Sequence, residues 1–206
     1  PISIYNVNKQ DNLFEIIFQV KGRGTNFLSK LEEGDFIDVV GPLGNGIFKL
    51  NGHKNVAIIG GGIGIFPLYE FAKEAQKEAN TNIYLGFRSK DFVVLEDEFK
   101  NVANNLIITT DDGTYGNSGF AINYLEKDLN EKNIDAIYAC GPLPMLKAVK
   151  KLAESKNIFC QISLEQRMAC GVGACMGCSV KLTTEDVNYA RVCKDGPVFD
   201  SKSVEI

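Results

Sequence analysis

The chain has 206 residues, which is room for one large domain or two small ones. It is 45% hydrophobic and 23% charged, as globular proteins are, so a disordered tail or a fibre is excluded. The net charge of −4 gives no reason to expect a nucleic acid or an anionic membrane as a partner. Neither an apolar run of roughly 20 residues nor a secretion signal is found, so we expect a cytoplasmic protein.

The first 50 or so residues are predicted to be β structure. Apolar and β-branched runs between turns containing Gly or Pro predict strands at residues 2–5, 13–20 and 36–40. Three strands with open edges make a poor independent sheet, so they are expected to form part of a β-barrel. Thr25 is expected to cap a short helix over residues 27–31, whose start is open to a diphosphate; an ordinary hairpin is the alternative.

Residues 54 to about 155 alternate short apolar strands with amphipathic helices. Strands are predicted at residues 56–59, 83–87, 106–109, 136–139 and about 158–162, and helices at 66–79, 120–129 and 145–152. Strands that are buried on both faces and alternate with helices indicate a parallel, doubly wound sheet. Such a sheet binds its ligand beyond the carboxyl ends of its strands.

A glycine-rich turn follows the first of these strands. Gly60, Gly61, Gly62 and Gly64 lead into a helix, and the free amides at its start suit a pyrophosphate. The turn does not match the Gly-x-Gly-x-x-Gly fingerprint, so a close strand-to-helix packing turn is the alternative. Two other segments follow strands at the same edge, namely Asp111-Asp112 and Cys140-Gly141-Pro142. Cys160, also at a strand, is expected to be an ordinary buried residue.

The cysteines near the end form the strongest pattern. Cys170, Cys175, Cys178 and Cys193 have the spacing Cys-x4-Cys-x2-Cys-x14-Cys, which is that of plant-type [2Fe–2S] proteins. Gly171, Gly173 and Gly177 are expected to let the loop wrap the cluster and direct amides at its sulfur atoms. A zinc site is the alternative, although zinc knuckles usually pair two Cys-x2-Cys motifs. Residues 163–206 are too few for a conventional core and are expected to depend on the cluster.

Together these segments resemble the ferredoxin–NAD(P) reductase superfamily, and within it the electron-transfer subunits of NAD-dependent dihydroorotate dehydrogenases. The first residues are similar to the end of that family's Arg-Pro-x-Ser motif, so the resemblance implies that an Arg and further barrel strands precede Pro1. The matching segments are Pro1-Ile2-Ser3, Gly24-Thr25, 41–46, 60–64, 110–113, 140–142, the cysteine loop and 192–199.

The resemblance implies a multi-domain α/β and β protein. Residues 1–52 would be part of an antiparallel FAD-binding β-barrel, 53–158 a doubly wound NAD-binding domain, and 159–206 a [2Fe–2S] domain. FAD would be bound by Pro1, Ile2, Ser3, Ile17, Phe18, Gln19, Gly24 and Thr25. NAD would be bound by Gly60, Gly61, Gly62, Gly64, Asp111, Asp112, Cys140, Gly141 and Pro142. The cluster would be ligated by Cys170, Cys175, Cys178 and Cys193.

The resemblance also implies a function within pyrimidine (UMP) synthesis. Electrons would pass from an FMN-containing dihydroorotate dehydrogenase catalytic subunit, through [2Fe–2S] and FAD, to NAD⁺, in a heterotetramer with two copies of each subunit. No catalytic side chain is expected, because the cofactors carry the chemistry. Val172, Ala174 and Met176 are expected to face the partner, with packing on their own domain as the alternative.

The sequence is also compatible with two other functions and with a second nucleotide. A flavin and iron–sulfur subunit of an NADPH:ferredoxin or sulfide oxidoreductase is similar in architecture, but the resemblance implies an Asp in such subunits where this chain has Cys170. A metal-binding scaffold with no enzymatic role is a second alternative. Arg88 and Lys90 would suit the 2′-phosphate of NADP, whereas the family resemblance favours NAD.

Overall fold

The first part of the chain forms a hairpin and a short helix. The computed structural model describes residues 1–184, 186 and 188–206. Strands β1 (Ile4–Asn8) and β2 (Leu13–Ile16) are antiparallel, and helix α1 covers Arg23–Leu28. The helix predicted at 27–31 therefore begins earlier, with Gly22 rather than Thr25 at its N-cap.

The strand predicted at residues 36–40 does not form, so this prediction is wrong. The segment has no regular structure, and the Phe36 side chain is 97% exposed. A strand requires a neighbour for its backbone hydrogen bonds, and no described strand lies beside this segment. The β2 strand also ends at Ile16, before the predicted limit of residue 20.

A seven-stranded sheet forms the centre of the molecule. Its strands are β3 (Asn55–Gly61), β4 (Asn80–Phe87), β5 (Asn105–Thr110), β6 (Asn117–Ser118), β7 (Ala136–Cys140), β8 (Phe159–Ser163) and β11 (Val198–Asp200). They lie in the order β11-β8-β7-β3-β4-β5-β6, and only β11 is antiparallel to its neighbour. The chain moves outward from β3 in one direction through β4 and returns to the other side at β7. The switch point therefore lies between β3 and β7.

Helices cover both faces of this sheet, as the alternating pattern predicts. They are α2 (Phe66–Ala75), α3 (Glu96–Val102), α4 (Ala121–Glu131) and α5 (Leu143–Lys156). On one face, Leu68 and Phe99 of α2 and α3 pack on Ile58; on the other, Leu125 and Val149 belong to the core around α4 and α5. Successive residues of a strand point to opposite faces of the sheet, so the side chains of β3 contribute to both cores. This is why the sequence of β3 is a continuous apolar run. Helix α3 was not predicted, and the helix predicted at 66–79 ends at Ala75.

The last part of the chain shares the core of the sheet. Strands β9 (Ser179–Lys181) and β10 (Tyr189–Arg191) form a separate antiparallel pair, while β11 joins the large sheet. Val180, Val192 and Val204 are buried in the same apolar cluster as α4 and α5. The expectation that this part lacks a conventional core is therefore wrong, because its apolar residues pack on its neighbour. None of the helices in the described part of the chain has the length and apolar character required to cross a membrane.

Candidate functional site

The four cysteines of the spaced motif lie in two pairs. The thiol of Cys170 hydrogen-bonds with that of Cys175, and the N–H of Cys193 donates to the sulfur of Cys178 over 3.4 Å. Cys193 also lies within electrostatic range of Cys170, so the two pairs are neighbours. All four thiols are free, and no disulfide competes for them.

The loop backbone directs its amides at the first of these thiols. Gly171 and Gly173 have φ values of +72° and +81°, which a residue with a Cβ rarely adopts. The amides of Cys175, Val172 and Ala174 hydrogen-bond to the Cys170 sulfur and lower the pKa of this thiol to about 6. The third predicted glycine differs: Met176 takes the positive φ (58°), and Gly177 instead donates its N–H to the Cys175 sulfur over 3.4 Å.

The donor set fits a binuclear iron–sulfur cluster better than a single zinc ion. A plant-type [2Fe–2S] cluster takes four thiolates for two irons, and this arrangement offers two pairs. A structural zinc site needs its ligands converging on one metal. The four thiols lie in two neighbouring pairs, which matches two metals better than one. The residues therefore fit the group that their spacing predicts.

The cysteine loop lies against a segment from the first part of the chain. The N–H groups of Asn45 and Gly46 donate to the Gly196 carbonyl oxygen at 3.0 and 2.9 Å. Gly44 and Gly46 leave no room there for a Cβ, which would lie 2.4 Å from the carbonyl oxygens of Gly196 and Val198. A cleft of about 260 Å³ opens between the two segments; it is lined by Pro42, Leu43, Gly44, Asn45, Gly171, Val172, Cys193 and Lys194.

Two of the three predicted nicotinamide segments, the glycine-rich turn and Cys140-Gly141-Pro142, meet at the switch point of the large sheet. Gly60 pairs with Cys140 across β3 and β7, although the two are far apart in sequence. A Cβ on Gly64 would lie 2.5 Å from the Cys140 carbonyl oxygen, and one on Gly61 would lie 2.8 Å from Pro142. The glycines thus allow the turn to pass directly over the end of β7. Close packing, the alternative interpretation, explains Gly60, Gly61 and Gly64.

Gly62 is different, because packing does not require it. It has a φ of +54°, and a Cβ at this position would meet nothing within 4 Å. It begins a short 3-10 turn, Gly62–Ile65, that continues directly into α2, where the Phe66 N–H already donates to the Ile63 carbonyl oxygen and Pro67 has no N–H. The N–H groups left free for an anion are therefore those that open the 3-10 turn, at Gly62, where the positive end of the helix dipole also lies. The turn therefore fits a pyrophosphate at Gly62, in addition to its packing role.

The acidic pair lies two strands away along the same edge. Asp111 donates its N–H to the Phe87 carbonyl oxygen over 2.9 Å, so the ends of β4 and β5 are adjacent. Hydrogen bonds from the hydroxyl and N–H of Thr114 lower the pKa of the Asp112 carboxyl. Thr114 also accepts the N–H of Lys90 over 2.9 Å. Thr114 thus links the turn after β4, which contains Lys90, to the turn after β5, which contains Asp112.

Cys140 and Cys160 are both protonated thiols at neutral pH. Burial raises the pKa of each to about 12, and hydrogen bonds with Ser163 and Ser201 respectively oppose this only weakly. Cys160 is buried in the core, as predicted, whereas Cys140 is only half-buried at the carboxyl end of β7. Ser163 was not singled out from the sequence, because only the pairing of β7 with β8 places it beside Cys140.

The predicted FAD residues lie at one end of the first hairpin. Ile4 pairs with Ile16, so Ser3 and Ile17 follow at the same end of β1 and β2. Pro1, Ile2, Ser3 and Gln19 are exposed, whereas Ile17 and Phe18 are half-buried. The Thr25 hydroxyl accepts the N–H groups of Lys21 and Gly22 at 2.9 and 3.1 Å, which closes the turn before α1. The open backbone and exposed Ser3 fit one edge of a flavin.

Family comparisons match the second and third parts of the chain. Residues 165–205 match the iron–sulfur cluster binding domain of dihydroorotate dehydrogenase B. Residues 58–151 match the oxidoreductase NAD-binding domain. These ranges contain the four cysteines and the glycine-rich turn respectively.

Curated relatives match over nearly the whole chain. The chain is 44% identical over 211 residues to the dihydroorotate dehydrogenase B (NAD(+)) electron transfer subunit of Fusobacterium nucleatum, with 100% of this chain and 80% of that protein covered. It is 42% identical over 202 residues to the subunit of the same name from Caldanaerobacter subterraneus, with 97% and 79% covered.

Solved structures show the same fold. An NADH-dependent reduced ferredoxin-NADP oxidoreductase is 33% identical and superposes with a TM-score of 0.88 over 100% of this chain and 73% of that chain. The cytochrome b5 reductase domain of Ulva prolifera nitrate reductase, 22% identical, has a TM-score of 0.54 over 75% of this chain and 65% of its own, and supports the fold alone.

These matches confirm the predicted fold class, the oxidoreductase function and the cofactors FAD, an iron–sulfur cluster and NAD. They argue against the non-enzymatic scaffold, since both matched domains belong to redox proteins. The chain belongs to the family of electron transfer subunits of NAD-dependent dihydroorotate dehydrogenase B.

Proposed function

We propose that this chain connects an FMN-containing dihydroorotate dehydrogenase catalytic subunit to NAD⁺ in pyrimidine (UMP) synthesis. The observation that carries the proposal is the arrangement of the four cysteines in two neighbouring pairs. It occurs in a chain whose parallel sheet also brings the glycine-rich turn beside Cys140. The names of the relatives support dihydroorotate dehydrogenase as the partner enzyme. The thiol-rich loop needs reduced cysteines, which supports a cytoplasmic location.

The three sites divide the work between them. When bound, a [2Fe–2S] cluster would supply single-electron transfer, and FAD would supply the exchange between single electrons and the hydride that NAD⁺ takes. Cys170, Cys175, Cys178 and Cys193 would hold the cluster, and the amides around Cys170 stabilise its thiolate. A hydride is two electrons and one proton, so FAD would take up one proton for every two electrons received from the cluster. Solvent can supply this proton, and no acid or base of the protein is assigned to the step.

Residues at the switch point would bind the nicotinamide nucleotide. The N–H groups that open the 3-10 turn at Gly62 would hold the pyrophosphate, while Gly61 and Gly64 permit the close approach of the turn to Pro142 and Cys140. The Cys140 thiol, neutral because burial raises its pKa to about 12, would border the nicotinamide without placing a charge beside it. Asp111 and Asp112 favour hydroxyl groups over a phosphate at the ribose, which supports NAD over NADP.

The flavin would lie against the open end of the first hairpin. Pro1, Ile2 and Ser3 directly precede β1, and Ile17, Phe18 and Gln19 directly follow β2 at the same end of the hairpin. Gly24 and Thr25 lie in the first turn of α1. These residues are sequence-distant, and the antiparallel register brings the two strands together.

The partner would dock on the cysteine loop. Val172 and Met176 are 56% and 47% exposed, and Ala174 is exposed between them, so none of the three is buried by its own domain. Electron tunnelling falls steeply with distance, so the cluster must lie close to the partner's flavin. We propose a heterotetramer with two copies of each subunit, in which this surface contacts the catalytic subunit.

A single-residue change tests this surface. Val172→Glu should lower NAD⁺ reduction by dihydroorotate at least about tenfold in the reconstituted complex, because it places an unpaired charge in an apolar contact. NADH-driven dye reduction by the same preparation should be unchanged. Val94→Glu, at an exposed valine outside the cysteine loop, is the matched control. A wild-type rate of NAD⁺ reduction by dihydroorotate in Val172→Glu would show that this surface is not the docking site. Dihydroorotate oxidation by the chain without any FMN protein would overturn the proposed function itself.

A second function is favoured by one observation. The TM-score of 0.88 to the NADH-dependent reduced ferredoxin-NADP oxidoreductase shows that the same architecture serves another electron partner. Cys170 argues against this role, because subunits of that kind are expected to have Asp at the first ligand position. The test compares the rate at which the chain reduces a ferredoxin with its rate of electron transfer in the complex with dihydroorotate dehydrogenase. Equal rates would favour the second function.

A further inference from the structure

Arg191 connects the two halves of the cysteine set. It ends β10, lies two residues before Cys193, and pairs across the hairpin with Ser179, which follows Cys178. Its backbone therefore lies beside the second thiol pair. Its side chain reaches the first, since Nη1 donates a hydrogen bond of 2.9 Å to the Gly173 carbonyl oxygen, between Cys170 and Cys175.

Asp195 holds the guanidinium of Arg191 in this position. Nε and Nη2 of Arg191 lie 3.0 and 3.2 Å from the two carboxylate oxygens of Asp195, a two-point contact. The Arg191 N–H donates to the same carboxylate over 2.8 Å, and the Arg191 carbonyl oxygen accepts the Asp195 N–H over 2.7 Å. The turn that carries Cys193 is thus closed around Arg191.

The loop and this turn are in direct contact, so their separation is defined. Gly173 has a φ of +81°, and a Cβ there would lie 2.6 Å from Cδ of Lys194. The Arg191 guanidinium is placed at this contact and makes all three side-chain hydrogen bonds at once. A lysine ammonium is a point charge that lacks the planar fork, so it cannot reproduce this arrangement.

We propose that Arg191 is a positioning residue that sets the spacing of the two thiol pairs and tunes the reduction potential of the cluster they hold. The inference rests on the proposed assignment of the four cysteines as ligands. Arg191 lies within electrostatic range of Cys178 and Cys193. Reduction adds a negative charge to a site that already bears thiolates, so a fixed cation nearby favours the reduced form. Asp195 offsets part of that effect while holding the cation in place.

The test uses the full chain with its cluster and compares Arg191→Gln, Arg191→Lys and Asp195→Asn. Iron release to a chelator and the reduction potential from an EPR-monitored titration are measured. Arg191→Gln should release iron at least about tenfold faster, as expected for loss of charge-assisted hydrogen bonds, and should have a lower potential. Arg191→Lys should restore most of the potential but not the slow release. Asp195→Asn should also release iron faster, yet raise the potential, because it removes an anion.

The reduction potential is expected to fall in Arg191→Gln and to rise in Asp195→Asn. These opposite shifts distinguish electrostatic tuning from simple destabilisation of the site, which would shift the potential of both variants in the same direction. Lys181→Gln is the matched control, since it removes a cation and an exposed ion pair with Glu205 from the same hairpin. Wild-type release and potential in Arg191→Gln would overturn the inference. If that variant assembles no cluster, wild-type release in Arg191→Lys would overturn it instead. A cluster that survives Cys170→Ser unchanged would reject the ligand assignment, which is a different failure.

Discussion

The ring of Tyr5 stacks on the ring of Tyr69, with centroids 4.8 Å apart and planes inclined by 19°. Tyr5 belongs to β1 and lies two residues after Ser3, whereas Tyr69 is in the first turn of α2, after the glycine-rich turn. Lys73 of the same helix donates a hydrogen bond to Asn6. One aromatic contact therefore links the proposed flavin strand to the helix that starts at the proposed pyrophosphate site.

Replacing Tyr5 tests that link. Tyr5→Ala should destabilise the first hairpin by about 3 kcal/mol, because a large buried ring and its stacked partner are lost. Hydrogen exchange at the amides of β1 and β2 should become faster, while the amides of β3 and β4 stay protected. Tyr5→Phe retains the stack and is the control. Equal protection of the hairpin in the Ala variant would show that the stack does not hold it.

Each of the four spaced cysteines should be required for the cluster. Ser substitution at Cys170, Cys175, Cys178 or Cys193 should abolish the visible absorbance of the cluster and its iron. Cys160→Ser, at a buried cysteine outside the motif, should retain both. Iron loss in Cys160→Ser as complete as in the others would contradict the assignment.

The same variants should leave the large sheet folded. Val180, Val192 and Val204 pack in the core shared with α5. Loss of the cluster should therefore disorder the cysteine loop but leave the neighbouring strands folded. Far-UV circular dichroism should remain within about a tenth of the wild-type signal, since the lost segment contributes little regular structure. Global unfolding on removal of one ligand would indicate that the cluster, not this core, stabilises the last part of the chain.

Gly62 should control nucleotide affinity. Gly62→Val places a branched side chain in the open space before α2, so the dissociation constant for NADH should rise at least about tenfold. Gly52→Val is a matched control, because Gly52 also has a positive φ (+79°) and open surroundings but precedes β3 at the opposite edge of the sheet. Titration of NADH by fluorescence distinguishes the two. Equal affinity in both variants would exclude Gly62 from the binding site.

Asp128 should make stability depend on pH in acid. Burial disfavours its charge, but hydrogen bonds from Lys132 and the Tyr84 hydroxyl, at 2.7 and 2.6 Å, lower its pKa below the ordinary value. A lowered pKa means that the carboxylate stabilises the fold above about pH 4, and that this contribution is lost as the pH falls further. Asp128→Asn should therefore cost about 1–3 kcal/mol at pH 7 and less near pH 3.

Chemical denaturation at the two pH values measures this difference. Glu126→Gln, on the exposed side of the same helix, is the control and should show almost none. A penalty for Asp128→Asn that is the same at pH 7 and pH 3 would show that the charge of Asp128 is not what stabilises the fold.

The sequence alone determined the parts of this protein that are encoded locally. Cysteine spacing depends on the reach of one short loop, so Cys170, Cys175 and Cys178 were recognisable without knowledge of the fold. Alternation of apolar strands with amphipathic helices is likewise a local property, and it predicted β3, β4, β5, β7 and β8. The candidate nucleotide turn was also visible, because glycines before a helix are a contiguous pattern.

Only the tertiary structure decided which remote segments meet. Residues 36–40 are apolar enough for a strand, but strand formation depends on a neighbour for the backbone hydrogen bonds, which the described chain does not supply. Sheet pairing places Cys140 beside Gly60, and packing places the valines of the last segment in the core of the central sheet. Arg191 carries no distinguishing pattern, since its contact with Gly173 exists only once β9 and β10 have paired. Long-range contacts of this kind depend on register and packing, which no local run of residues contains.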